Sequence, residues 1–264
     1  MEDLVEQLFV EGVAYESQWK FPSKTLLSQQ DRELILKQLQ RRFSSEVALL
    51  HQLPAEDRDS LRAAFYSLRE NWFHQLFQQE GYNGDVVARS IKRWLAGDIN
   101  TLVLCGGRLS HAKLLYNTLL ACFPTAVSDS YINCYHSMEL AAEHASLYAL
   151  PFVEQPPEPI MLHLMEGNPA VCCVDRRLVR IKAMPILIHC LDLNIVPRFV
   201  CRNTCVLFLT GDPLLTPACH APRLELRDFV QAVSCPDVCT MSLHCTREHP
   251  LCTVCNQSLN KDNQ

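Results

Sequence analysis

Apolar positions in the first hundred residues recur at helical spacing. Leu61, Phe65, Leu68, Trp72 and Leu76 fall three and four apart, which builds one apolar stripe and predicts a core-facing helix. Pro54 with the following Ala-Glu-Asp supplies its start, and Gly81-Tyr82-Asn83-Gly84 its stop. A shorter amphipathic helix is predicted over Asp85–Leu95, ending near Gly97.

Beyond residue 98 the period changes. Short apolar runs bounded by polar residues, Pro or Gly appear at Asn100–Cys105, Leu147–Val153, Ala170–Val174, Ile186–Cys190 and Cys205–Thr210, and read as buried strands. Helices are predicted between and after them, over Lys113–Cys122 and Leu224–Val233. Strands alternating with helices predict an α/β sheet. Pro156-Pro157-Glu158-Pro159 is a stiff, extended internal loop. Three regions are expected: a helical N-terminal part over 1–98, an α/β domain over 99–233, and a small Cys-rich tail over 234–264 whose polar end, Asn256–Gln264, is disordered.

Composition narrows the classes. With 264 residues, 48% of them hydrophobic and 20% charged, the chain can bury a sizeable core. A net charge of −5 excludes a surface coated with basic residues, so any DNA contact must use a local cationic groove. Residues 1–15 carry acids where a signal peptide carries bases, and no apolar run reaches the ~18 residues of a membrane span, so an intracellular protein with no membrane partner is expected. All fourteen cysteines follow residue 104, too uneven for a stapled secreted scaffold; reduced thiols are expected, with a few binding metal.

The glycine loop after Cys105 carries the candidate chemistry. Gly107-Arg-Leu-Ser-His-Ala112-Lys113-Leu114 compares with the phosphate-binding pattern G-x-x-x-x-G-K-[ST], matching at the first glycine and the lysine. Gly107, Ser110 and Lys113 are the candidate nucleotide-binding residues. Ala112 replaces the second glycine, and its β-carbon crowds the backbone approach to phosphate. Leu114 replaces the hydroxyl that would ligate Mg²⁺, so weakly bound ATP and a poorly held Mg²⁺ are expected.

From about residue 70 to residue 233 the order of features resembles the parvovirus non-structural (Rep) proteins, whose helicase domain is a superfamily 3 AAA+ ATPase. Phe73–Asn83 and the short helix ending Trp94-Leu95 resemble that family's lead-in, Asn100–Gly107 its strand into the phosphate loop, and Asn117–Pro124 the helix behind it. The resemblance implies a P-loop-type AAA+ sheet with helices on both faces. It implies that Glu154, after Leu147–Val153, is the Walker B general base. Met165–Arg177 resembles the DNA-tracking hairpin, which makes Arg176, Arg177, Arg180 and Lys182 candidate phosphate contacts. Leu191 stands where the family has a sensor asparagine, with Asp192 or Asn194 as stand-ins. Arg198 or Arg202 occupies the arginine-finger region, and register favours Arg202, acting on a neighbouring copy. No His-x-His pair of an origin nuclease is present, so nicking is not expected. The eroded loop makes the chain most like the short Rep-like early proteins of avian adenoviruses.

Cys235, Cys239, Cys252 and Cys255 supply four thiolates at zinc-site spacing, with His244, Cys245 and His249 as alternative ligands. The expected function is a degenerate helicase-like viral protein of the host-cell nucleus. It is expected to act in replication or regulation by binding DNA, host or viral proteins, or further copies of itself, without efficient ATP hydrolysis. An active ATP-dependent DNA helicase and a zinc-dependent regulatory interaction module are the alternatives.

Overall fold

The structure, a computed structural model, describes residues 2–20, 27–54, 70–174 and 176–231. Leu61, Phe65 and Leu68 of the apolar stripe, Asp175, and the five cysteines from Cys235 onward lie outside the described residues.

The order is α1 (Glu2–Glu11), α2 (Gln29–Arg42), α3 (Trp72–Gln79), α4 (Gly84–Ala96), β1 (Thr101–Cys105), α5 (His111–Ala121) and β2 (Val127–Ser128), followed by α6 (Tyr135–His144), β3 (Tyr148–Val153), α7 (Pro159–Met165), β4 (Ala170–Val174), β5 (Arg177–Ile181), β6 (Ile186–Cys190), β7 (Thr204–Phe208) and α8 (Pro222–Gln231). Five strands form a wholly parallel sheet in the order β2-β3-β6-β1-β7, and β4 pairs with β5 in a separate antiparallel hairpin. β1 is therefore central, between β6 and β7.

The expected continuous stripe from Leu61 to Leu76 is broken. Asn71 is non-helical (φ −58°, ψ 131°) and caps α3, its side-chain oxygen accepting from the Phe73 and His74 amides at 3.0 and 3.2 Å. Asparagine satisfies the orphan amides of a first helical turn, so a new helix begins there whatever the apolar spacing. Asn83 caps α4 in the same way, and Gly97 ends it with φ 91°.

A strand buried on both faces sends alternate side chains to opposite sides. Leu102 and Leu104 of β1 face a core built from α3, α4, α5 and α8, while Val103 and Cys105 face one built from α6, α7 and the hairpin. Helices thus cover both faces. In the first core Phe229 stacks against Phe73 and Phe77, with centroids 5.8 and 5.6 Å apart. The Tyr82 hydroxyl closes the outer edge of β7, accepting from the Phe208 amide at 2.9 Å and donating to its carbonyl at 3.0 Å.

α1 and α2 pack around Phe9, Ile35, Leu39 and Phe43 in a small core of their own. Arg223 of α8 joins this unit to the rest. Its buried guanidinium donates to the carbonyls of Phe9 (3.0 Å), Val10 (3.2 Å), Gln52 (2.7 Å) and Cys122 (2.5 Å), and lies over the rings of Phe9 and Phe43. Burial pulls its pKa down to about 10. Thr125 adds a hydrogen bond to the Phe43 carbonyl at 2.8 Å.

Candidate phosphate loop and basic hairpin

The loop between β1 and α5 opens at the carboxyl end of the central strand, where doubly wound sheets place ligands. Its indispensable glycine is Gly106. A β-carbon there would lie 2.3 Å from the Leu209 carbonyl oxygen, whereas one on Gly107 would meet nothing within 4 Å. Sequence comparison singled out Gly107 because the motif begins there; the Gly-Gly pair was the only available sign of Gly106.

The amides at the entry to α5 are occupied. His111 N donates to the Gly211 carbonyl at 2.9 Å and Ala112 N to that of Leu209 at 3.2 Å, while Lys113 N and Leu114 N donate to Ser110 O at 3.1 and 3.2 Å. A helix N-terminus attracts anions through such amides; here backbone carbonyls from beyond β7 take the first two. The Ser110 hydroxyl turns inward and donates to the Gly107 carbonyl at 2.8 Å.

His111 locks this arrangement. Its buried ring has Nδ1 2.6 Å from Glu80 Oε1 and Nε2 2.8 Å from Thr216 Oγ1. Glu80 also accepts from the Gly211 and Thr210 amides at 2.7 and 3.2 Å, so one carboxylate ties the end of α3, the loop and the segment after β7 together. Nothing in the sequence flagged this pair, because Glu80 and His111 are 31 positions apart and neither belongs to a motif.

Lys113 does not reach into an open cradle. Its ammonium lies 4.2 Å from the centroid of Phe152 and 4.8 Å from that of Tyr116, and burial lowers its pKa. Phe152 arrives there through a bulge: Pro151 and Phe152 together stand opposite the single residue His189, and Phe152 takes φ 57°. Pro151 cannot donate to the sheet, which makes the bulge intelligible and was its sequence signal. His189 lies beneath, its Nε2 3.0 Å from the Gly106 carbonyl, while its buried Nδ1 has no hydrogen-bond partner. Burial lowers the His189 pKa despite the bond to Gly106, and the nearby Lys113 and Arg108 push it the same way.

Glu154 follows β3 and is exposed. Arg108 of the loop pairs with it at 3.3 Å while lying 4.9 Å from the Phe152 centroid. Gly107, Ser110, Lys113 and Glu154 are thus gathered at one end of the sheet. Leu114 packs against the core that α5 shares with α3, α4 and α8. Leu191 leaves β6 with its amide bonded to the Val153 carbonyl at 2.9 Å, and Asn194 bonds Asp192. Arg202 precedes β7, which runs parallel to β1, so it lies at the opposite end of the sheet from the loop; its amide bonds Glu166 at 3.3 Å.

β4 and β5 form the hairpin, with Val171 opposite Arg180 and Cys173 opposite Leu178. Arg176 adopts φ 66° at the tip, in the left-handed region that tight hairpin turns use. Its outer face exposes Val171, Cys173, Leu178, Arg180 and Lys182, whereas Arg177 is paired with Glu139 at 2.9 Å. Among the described residues no three His, Cys, Asp or Glu side chains are placed to hold a metal, and no helix is long and apolar enough to cross a membrane.

No curated protein matches the chain. A similar solved structure is the A form apo structure of the NrS-1 C-terminal region, with 11% identity and a TM-score of 0.39 over 75% of this chain and 50% of that one. The chain therefore spans half the length of that structure. Residues 1–128 match the family model of parvovirus non-structural protein NS1. Over that segment, which runs from α1 across the phosphate loop to β2, the chain is similar to the parvovirus non-structural protein NS1 family.

Proposed function

We propose that this chain is a degenerate superfamily 3 helicase-like protein that serves viral replication or regulation by binding nucleic acid or protein, without efficient ATP hydrolysis. One observation carries the reading: the amides that should cradle phosphate at the start of α5 are already bonded to the carbonyls of Leu209, Gly211 and Ser110. The sheet order, with the loop-bearing strand between β6 and β7 and a hairpin inserted before β6, supports an AAA+ architecture.

The residues present do not suit a Mg²⁺–ATP complex. Leu114 packs against the core, and Lys113 would have to leave two aromatic rings to meet a phosphate. The roles of Glu154 as base and Arg202 as a finger are in the same way vestigial, since Glu154 is paired with Arg108 and Arg202 could serve only a neighbouring copy of a homo-oligomer. DNA contact falls to Arg176, Arg180 and Lys182, with Arg177 held by Glu139. Zinc held by Cys235, Cys239, Cys252 and Cys255, and action in the host nucleus, complete the proposal.

Nucleotide titration with and without Mg²⁺, joined to a turnover assay, tests it. Binding is expected to be weak and indifferent to Mg²⁺, with no ATP turnover above background. Turnover that Lys113→Ala abolishes would establish the active helicase instead.

A further inference from the structure

A cleft of about 480 Å³ opens at the carboxyl end of β3, beside the phosphate loop, between the segment after β2 and residues 152–155. Ile132 and Val153 are buried at its floor. On its wall Tyr131 stands 74% exposed, a ring too open to water to serve the core, and Phe152 is also exposed. Large rings left in the open beside a concavity are typical of binding surfaces rather than of folding.

The electrostatics of the cleft select its occupant. Glu154 lines it, and two further carboxylates are fixed at its border. Asp129 accepts from the Tyr131 amide at 3.0 Å and the Tyr148 hydroxyl at 3.2 Å. Glu158 accepts from the Tyr135 hydroxyl at 2.9 Å, and its amide donates to the Asn133 side chain at 3.1 Å. The protein already displays the contact that such a wall favours: the Arg108 guanidinium lies over Phe152 and bonds Glu154. A planar cation that stacks on a ring and pairs with a carboxylate is the characteristic use of arginine. Three carboxylates against two cations, the Arg108 guanidinium and the Lys113 ammonium over Phe152, leave a negative balance that disfavours the phosphates of nucleic acid, and the chain's net charge of −5 acts in the same direction.

We propose that this cleft docks an arginine-bearing segment of a partner protein, with one guanidinium held between the Tyr131 ring and the Glu154 carboxylate. The surface is separate from the basic hairpin but shares Phe152 and Glu154 with the surroundings of the phosphate loop, so the proposal rests on the reading that this loop does not hold Mg²⁺–ATP.

Fluorescence anisotropy on the full chain provides the test. The probes are a short labelled peptide of alternating arginine and glycine, its citrulline counterpart, and a labelled oligothymidine. The arginine peptide is expected to bind saturably and the citrulline peptide not to bind. Tyr131→Ala and Glu154→Gln should each weaken binding about fivefold, and Tyr131→Phe should retain it. Glu143→Gln, which removes one exposed charge from α6, should change it by less than about twofold. Equal binding to all variants, or no binding of the arginine peptide, would overturn the proposal. So would oligothymidine binding that Tyr131→Ala removes, since the cleft would then belong to nucleic acid.

Discussion

Arg223 offers the sharpest test of the fold. Only 5% exposed, it supplies four hydrogen bonds to carbonyls at the end of α1, the end of the Leu49–Gln52 turn and the end of α5. Arg223→Met keeps much of the volume and removes all four. A hydrogen bond to a charged group contributes about 1.5–3 kcal/mol net, so the sum is large, but removing the guanidinium also returns its desolvation cost. With each orphaned carbonyl left costing about 1 kcal/mol, the expected loss is about 4 kcal/mol. For a chain of this size, 1 kcal/mol moves Tm by about 2–4 °C, so Tm should fall by about 8–16 °C. Arg223→Lys, which keeps a point charge but not the fork, should fall between the two. Arg202→Met, on an exposed residue, should change Tm by less than about 2 °C. The assay is thermal unfolding by circular dichroism, with limited proteolysis reporting whether α1 and α2 become the first segments cut. A Tm for Arg223→Met within about 2 °C of the wild type would refute the view that this residue binds the N-terminal helices to the sheet.

Three further outcomes are expected. Gly106→Ala should destabilise the chain by more than about 2 kcal/mol in denaturant titration because its β-carbon meets the Leu209 carbonyl; Gly107→Ala should cost less than about 1 kcal/mol, and equal costs would show that the loop relaxes freely. The lowered pKa of His189 means that the folded state holds it neutral, so its contribution is complete above the unfolded value near 6.5 and is lost as pH falls below it, at up to about 1.4 kcal/mol per pH unit; His189→Phe should flatten stability between pH 7.5 and 5.5, and an unchanged slope would exclude this role. Arg180→Ala and Lys182→Ala should each reduce the slope of log affinity for DNA against log salt by about 1, while Arg177→Ala, already paired with Glu139, should do less; slopes that do not move would take the hairpin out of the DNA interface.

The sheet was legible because burial on both faces writes itself as a short apolar run, and Ile186–Cys190 coincides with β6; Ala170–Val174 coincides with β4 as well, although that hairpin strand is buried on one face only. Helix boundaries were less so. The spacing that carries Leu61 to Leu76 continues smoothly through Asn71, yet the amides of Phe73 and His74 need an acceptor, and a local hydrogen bond decided the matter against periodicity. β2 was missed because two residues at a sheet edge, one of them exposed, carry no pattern.

The loop shows where motif reading reaches its limit. A motif names the residues that a ligand would touch, and on that footing Gly107, Ser110 and Lys113 looked like a partial phosphate site. What governs the loop is where its own polar groups go, and those partners are distant in sequence: Leu209 and Gly211 for two amides, Glu80 and Thr216 for His111, and Phe152 for the lysine. Each buried donor must be satisfied by something. In this loop Ala112 and Leu114 stand where the phosphate pattern has a glycine and a hydroxyl, and the amides at the start of α5 meet nearby carbonyls. The retained lysine turns to the nearest π-faces. On the function proposed above, the shape of a phosphate loop persists after its anion cradle has closed, and Gly107 and Lys113 report the shape more than the chemistry.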